Sequence, residues 1–353
     1  MSDAARAQCQ IRDVGKARSG HSRFWCVAHG ANATGRYGAC LSQCERAHLD
    51  IDPALVLDLD LERYPGGIAL WASVDPIIDT TTLPPERGVH VHAREEAGGK
   101  KIVDDTFPAV SVAYKRDLID YGRALITHET AVSYYVARFL GREITCLFCT
   151  YCGDPHLDAE FFAIKPHRRH LCHGCGRYFS VEQRTISNPL ALARSELGIQ
   201  KTQRAPVRAT RALALRTADH PGGIQVWASN PAIIWTADRP EESGIHLHAY
   251  AADGSRDYDD TYGAVSIDGV VLDERQVAQL MAQQAVSHLR GKVGALTCPS
   301  CGAEKFDEGE EGFWPRANHE CRECGTRFPT PGRRRLVVSN PIKTKLSSIL
   351  GTN

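Results

Sequence analysis

The chain has 353 residues, with 42 lysines and arginines balanced by 42 aspartates and glutamates, 42% hydrophobic and 24% charged residues, and 13 cysteines. That length predicts two or three domains rather than one core. The ordinary globular composition excludes extensive disorder, and the balanced charge excludes a global field drawing the chain to nucleic acid or an acidic membrane, so any such attraction must be local. No window approaches the roughly 18 apolar residues of a spanning helix, and the first twenty residues lack an apolar stretch of signal-peptide type. A soluble, cytoplasmic protein with no membrane partner is therefore expected, and in a reducing compartment its cysteines point to metal rather than disulfides.

Residues 1–50 form an N-terminal Cys/His-rich element without a counterpart later in the chain. Cys26-x-x-His29 and Cys40-x-x-x-Cys44 supply four soft or borderline donors within about twenty residues, enough for a third zinc site. The alternative is that these cysteines are buried thiols packing as small hydrophobes.

From residue 51 the sequence repeats itself. PGGIALWAS at 65–73 returns as PGGIQVWAS at 221–229, and GVHVHA at 88–93 returns as GIHLHA at 244–249, both at an offset of 156. Asp104-Asp105-Thr106 and Ala109-Val110-Ser111 return as Asp259-Asp260-Thr261 and Ala264-Val265-Ser266 at 155. Such agreement predicts a tandem internal duplication of about 150 residues. Apolar and polar residues alternate around AGGK at 97–100 and ADGS at 252–255, the pattern of a β-hairpin. A 3.6-residue recurrence follows in each copy, through Leu118, Ile119, Ile126, Val132, Val136 and Phe139, then Val277, Leu280, Met281, Val286 and Leu289. This predicts helices opened by Asp117 and Asp273.

Side chains two apart on a strand face the same way, so His90 and His92 point together, as do His246 and His248. If the returning strand brings Asp105 or Asp260 to them, two imidazoles and a carboxylate can hold a divalent metal with positions open for water, the arrangement of a metal-dependent hydrolase. Two other uses compete: paired histidines that simply line a polar sheet face, or a pocket in which Trp71 or Trp227 stacks on a small ligand or modified base.

Each copy closes on four cysteines: Cys149, Cys152, Cys172 and Cys175, then Cys298, Cys301, Cys321 and Cys324. The spacing is identical, and glycine follows the second cysteine of every pair. These motifs resemble zinc-ribbon domains in general, over about 149–179 and 298–328. The resemblance implies two structural Zn2+ sites of closed tetrahedral geometry. Cys146 falls outside the knuckle register and is a spare thiol. Basic residues Lys165, His167, Arg168, Arg169 and His170, and later Arg333, Arg334 and Arg335, lie near Tyr178, Phe179, Trp314 and Phe328, a mixture able to hold phosphate and stack bases. A solvated basic face is the simpler reading, and Asp307, Glu308, Glu310 and Glu311 make the second ribbon acidic.

The expected organisation is α+β, with two units of small antiparallel sheet, helix and zinc ribbon. They occupy 51–145 with 146–194, and 212–296 with 297–353, joined by the basic linker 195–211. The expected function is zinc-stabilised recognition of nucleic acid or a protein partner. A metal-dependent hydrolase using His90, His92 and Asp105, or His246, His248 and Asp260, is the alternative.

Overall fold

The computed structural model describes residues 11–16, 22–26, 31–32, 55–84, 87–117, 120–173, 175–199, 206–229, 231–237, 239–288, 293–294, 296–305, 307, 315–333, 335 and 337–338. It is mostly sheet, in several small pieces, with few helices. Of the N-terminal candidate ligands, His29, Cys40 and Cys44 lie outside the described residues; Cys26 ends the strand Ser22–Cys26, which pairs with Ile11–Lys16 and Ala31–Asn32. Among the described residues no helix is long and apolar enough to cross a membrane.

The chain divides into two compact units, neither of them contiguous. The first comprises Met1–Ser73, Arg87–Gln203 and Ile233–Asp238, the second Val74–Glu86, Arg204–Ala232 and Arg239–Asn353.

In the first unit a four-stranded sheet runs in the order Ile234–Trp235, Ile68–Ala72, Val89–Arg94, Lys101–Phe107. Its strands alternate strictly. Val89, Val91 and Ala93 are completely buried, which turns His90 and His92 to the opposite face. A second sheet places Ala109–Asp117 between Val56–Leu59 and Asp120–Thr127. The helical recurrence read through Ile126 belongs in part to this strand. Ala124 and Ile126 are buried while Leu125 between them is exposed, a period of two rather than 3.6, and the segment pairs residue for residue with Ala109–Tyr114. The helix begins later, at His128–Phe139, and Thr127 rather than Asp117 caps it, its hydroxyl accepting from the Thr130 N–H.

The second unit has a sheet in the order Arg256–Tyr262, Ile245–Tyr250, Gly223–Ala228, Ile78–Asp79. Ile245, Leu247 and Ala249 are buried and His246 and His248 face the other way. Here the hairpin Ala264–Ile267 with Val270–Asp273 is shorter and turns on Asp268 and Gly269, both at positive φ as a two-residue turn of this hand requires. Asp273 caps the helix Glu274–His288 by accepting from the Gln276 N–H.

The strands supplied from a distance are anchored in the same way. Ile233 and Thr236 donate backbone N–H to Leu70 and Ile68 oxygens, and the Thr236 hydroxyl accepts from the Ile68 N–H. In the second unit Ile77 and Thr80 donate to Val226 and Ile224, and the Thr80 hydroxyl accepts from the Ile224 N–H.

The glycine pairs that open the central strands permit a close backbone approach. A Cβ on Gly66 would lie 2.2 Å from the Glu96 carbonyl oxygen, and one on Gly222 would lie 2.2 Å from that of Ala251, whereas Gly98 and Gly254 at the hairpin tips face open space. Gly66→Ala and Gly222→Ala are each expected to lower stability by about 3 kcal/mol or more, the upper part of the overpacking range. Gly98→Ala has only its positive φ to overcome and should cost about 1 kcal/mol. Urea unfolding of the three variants checks the ranking.

Candidate metal centres

Both ribbons are built from two identical turns. In each, the backbone carbonyl of the first cysteine accepts from the N–H of the glycine four residues on: Gly153 to Cys149, Gly176 to Cys172, Gly302 to Cys298 and Gly325 to Cys321, all at 2.8–2.9 Å. Each of these glycines has φ between 69° and 75°, a conformation that a side chain would strain, and this accounts for the Cys-Gly pairs in the sequence.

The turns gather the sulfurs. Cys149 and Cys175 Sγ are 3.7 Å apart and Cys152 and Cys172 3.6 Å; Cys298 with Cys324 and Cys301 with Cys321 are both 3.6 Å. A disulfide needs about 2.0 Å. A tetrahedron with metal–sulfur bonds of about 2.3 Å has edges of about 3.8 Å. The eight predicted cysteines thus form two clusters that fit a tetrahedral, thiophilic metal. Crowding splits their acidities: hydrogen bonds from Cys152 and Cys172 draw the Cys149 thiol down, and the same interactions push Cys152 up. Four sulfurs this close can all be thiolates only around a cation. Cys146 stays outside. Burial pushes its thiol up to about 12, and it donates to the Leu147 carbonyl instead.

Beneath each cluster lies a buried carboxylate that the spacing of the cysteines does not single out. Asp158 Oδ1 is 2.7 Å from His156 Nε2, 3.0 Å from His170 Nδ1 and 3.3 Å from His167 Nε2, and Oδ2 accepts from the Ser187 N–H at 2.7 Å. Burial works to raise the pKa of Asp158, but the hydrogen bonds from His156, His170 and Ser187 outweigh it and hold it at about 2. At an offset of 149, the offset of the cysteines, stand Asp307, Lys305, Arg316 and His319. Lys305 and Arg316 lie 3.4 and 2.6 Å from Asp307. His156, Asp158 and His170 could by themselves hold a metal. The lysine in place of His156 shows that the same carboxylate is held without one, so we read this group as a structural hydrogen-bond network. The clue in the sequence is the recurrence of Asp and His at the ribbon offset.

The sheets bring together the third kind of group. Cross-strand pairing sets Trp71, His90 and Thr106 in one row and Ala69, His92 and Asp104 in the next. His90 and His92 Nε2 are 2.9 Å apart, and Asp104 Oδ1 lies 2.9 Å from His92 Nε2 and 3.6 Å from His90 Nε2. The second unit repeats this: 3.0 Å between His246 and His248, then 3.2 and 3.7 Å from these two, His248 first, to Asp259. Donor atoms at about 2.1 Å from a metal stand about 3.0 Å apart in an octahedral site and about 3.4 Å in a tetrahedral one, so both triads fit a divalent ion. The acid is not the expected one. Asp105 sits opposite inward-facing Val91, and its carboxylate accepts from the Thr106 N–H; Asp260 likewise faces away from the histidines and pairs with Arg211.

Neighbouring groups orient the imidazoles. His90 and His246 Nδ1 meet the hydroxyls of Thr106 and Thr261 at 3.0 and 3.4 Å. Tyr250 donates its hydroxyl proton to Gln225, so its oxygen accepts from His248 Nδ1–H at 3.2 Å and leaves the Nε2 lone pair facing Asp259. Trp71 and Trp227 pack edge-on against His92 and His248, both at 4.8 Å. When Nε2 of His92 and His248 carries a proton, the hydrogen bond from it holds Asp104 and Asp259 well below the ordinary carboxylate range, helped by Lys101 and Arg256 on the second oxygens.

Neither protein-family models, nor curated proteins, nor solved structures match this chain.

Two outcomes test these sites. Cys172→Ser should lose one zinc per chain relative to the parent protein, whereas Cys146→Ser keeps the full complement, as read by elemental analysis. Asp158→Asn leaves buried imidazoles facing a neutral amide and should destabilise the ribbon by about 3–5 kcal/mol, measured by denaturant unfolding of the zinc-loaded protein.

Proposed function

We propose that the chain is a zinc-stapled internal duplication in which each four-stranded sheet carries an open, two-histidine, one-carboxylate centre for a divalent cation, serving a metal-dependent hydrolase. One observation supports this above the rest. Between the two copies the inward positions of the central strand drift among apolar residues, Val89 to Ile245 and Val91 to Leu247, while the outward histidines are identical. On the neighbouring strand Asp104 and Thr106, which complete the outward group with the histidines, recur as Asp259 and Thr261. Packing constrains inward residues and leaves outward ones free, so identity on the outward face reflects a task other than folding.

The chemistry of the donors agrees. In the second unit Tyr250 fixes the His248 tautomer, so an imidazole lone pair and a carboxylate oxygen converge, an arrangement that needs a cation or an added proton between them. Three protein donors leave coordination positions for water and substrate, and a bound divalent ion lowers the pKa of water and polarises a carbonyl or phosphoryl oxygen. The side chains of both triads are partly exposed, which leaves that open side accessible. Lys101 and Arg256 keep the carboxylates ionised and anchored, and the threonines aim the imidazoles.

Elemental analysis of the parent protein and of a variant with His90, His92, His246 and His248 all changed to alanine tests the reading. The parent should bind up to two divalent ions beyond the cysteine-bound zinc, and the variant should lose only those. Hydrolysis of a 4-nitrophenyl ester or of bis(4-nitrophenyl) phosphate should fall by at least about a hundredfold in the variant, the scale of losing an activated nucleophile. Equal metal content in the two proteins would mean that the triads are hydrogen-bonded clusters and would remove the hydrolase.

A further inference from the structure

The two ribbons share their cysteines and their buried carboxylate, but their outer surfaces differ. On the first, the cross-strand pair Leu171 and Tyr178 is exposed, 38% and 52%, and Tyr151 in the first cysteine turn is 47% exposed. Arginines lie on both tyrosine rings: Arg169 is 4.1 Å from the centroid of Tyr178 and Arg177 is 5.0 Å from that of Tyr151. Among the described residues neither guanidinium has an acidic partner. On the second ribbon, at the same offset of 149, Tyr151 is replaced by Ser300, Arg169 by Asn318, Arg177 by Thr326, and the pair Leu171 and Tyr178 by Glu320 and Arg327. There the cross-strand pair is an ordinary ion pair of 2.8 Å.

Solubility favours the second arrangement. Large apolar and aromatic side chains left exposed cost hydration free energy and invite association, and the sister ribbon shows that the frame stands without them. The surface is also selective in its charge. Arg169 and Arg177 lie on its tyrosines while the overall charge of the chain is zero, so the cationic character is local.

We propose that this face of the first ribbon binds single-stranded nucleic acid. Bases stack on the open faces of Tyr151 and Tyr178, and Arg169 and Arg177 pair with the phosphates between them while each backs a ring by cation–π attraction. An unpaired strand suits the surface better than a duplex, because only unstacked bases offer their faces to a tyrosine ring. The proposal stands apart from the sheet centres and does not require them to bind metal.

Fluorescence anisotropy with a labelled oligothymidylate of twelve nucleotides, on the full zinc-loaded chain, is the test. Affinity should fall as salt rises. Tyr151→Ala and Tyr178→Ala should each weaken binding by about tenfold, while Tyr178→Phe keeps the stacking surface and the affinity. Replacing Arg169 and Arg177 with glutamine should lower the salt slope by about 0.7 for each phosphate that is no longer neutralised. Arg327→Ala on the sister ribbon should change neither quantity. Zinc content measured on every variant separates a lost surface from a lost fold. No binding at low salt, or binding that survives the double tyrosine change with zinc intact, would overturn the proposal. Full competition by a polyglutamate peptide would overturn it too, marking the face as a site for an acidic protein.

Discussion

Burial of alternate residues on a strand constrains both of its faces at once. Val89, Val91 and Ala93 are driven inward with almost no solvent exposure, as are Ile245, Leu247 and Ala249. Each buried aliphatic side chain contributes on the order of 2 kcal/mol, and a slip of one residue would forfeit all of it. Register is therefore fixed by apolar packing, and the imidazoles on the other face inherit their positions from it. The spacing of the triads needs no additional device on the histidine strand, because residues two apart share one face and there their Nε2 atoms meet at 2.9 and 3.0 Å.

The same parity explains what could be read from the sequence and what could not. Cysteine pairs carry their own geometry, since two residues and a following glycine define a turn, and the grouping of these eight cysteines into two clusters was legible for that reason. The histidine pair was legible because it depends only on period two. The carboxylate was not: Asp104 and Asp105 are adjacent, and choosing between them requires the register of a second strand. A bulge between Ala93 and Arg94 intervenes at the hairpin end, and no propensity reveals it. The start of the first helix is not legible because apolar residues run on from Ile126 to Val132, Val136 and Phe139 with nothing between them to mark the strand-to-helix junction. The carboxylates under the cysteine clusters have no spacing signature at all. They show only when the two ribbons are laid side by side at the cysteine offset.

The ribbons separate frame from surface. The frame of each is four cysteines, the glycines that follow two of them and an aspartate buried beneath. The donors around that aspartate change from three histidines to lysine, arginine and histidine with the carboxylate kept in place. Such tolerance is expected where a buried charge has to be matched but the identity of its partners is free. Outside the frame the outer side chains diverge from aromatic and basic to small polar residues and a Glu320–Arg327 ion pair. In the sheets it is the two histidines, the aspartate and the threonine of each outward group that are held constant.

Neither unit being a continuous piece of chain bears on how the protein is made. Ile68 bonds to Thr236 across 168 residues, so the first sheet lacks its outer strand until Ile234–Trp235 has been made. At about 5–20 residues per second a ribosome takes on the order of ten seconds or more to supply it. During that interval Ile68–Ala72 presents an unpaired edge of apolar residues, the kind of surface that chaperones cover and that neighbouring nascent chains can invade. Gene halves cut between the copies would leave that edge open permanently, so the two copies are expected to express only as one polypeptide or as co-produced fragments that complete each other's sheets.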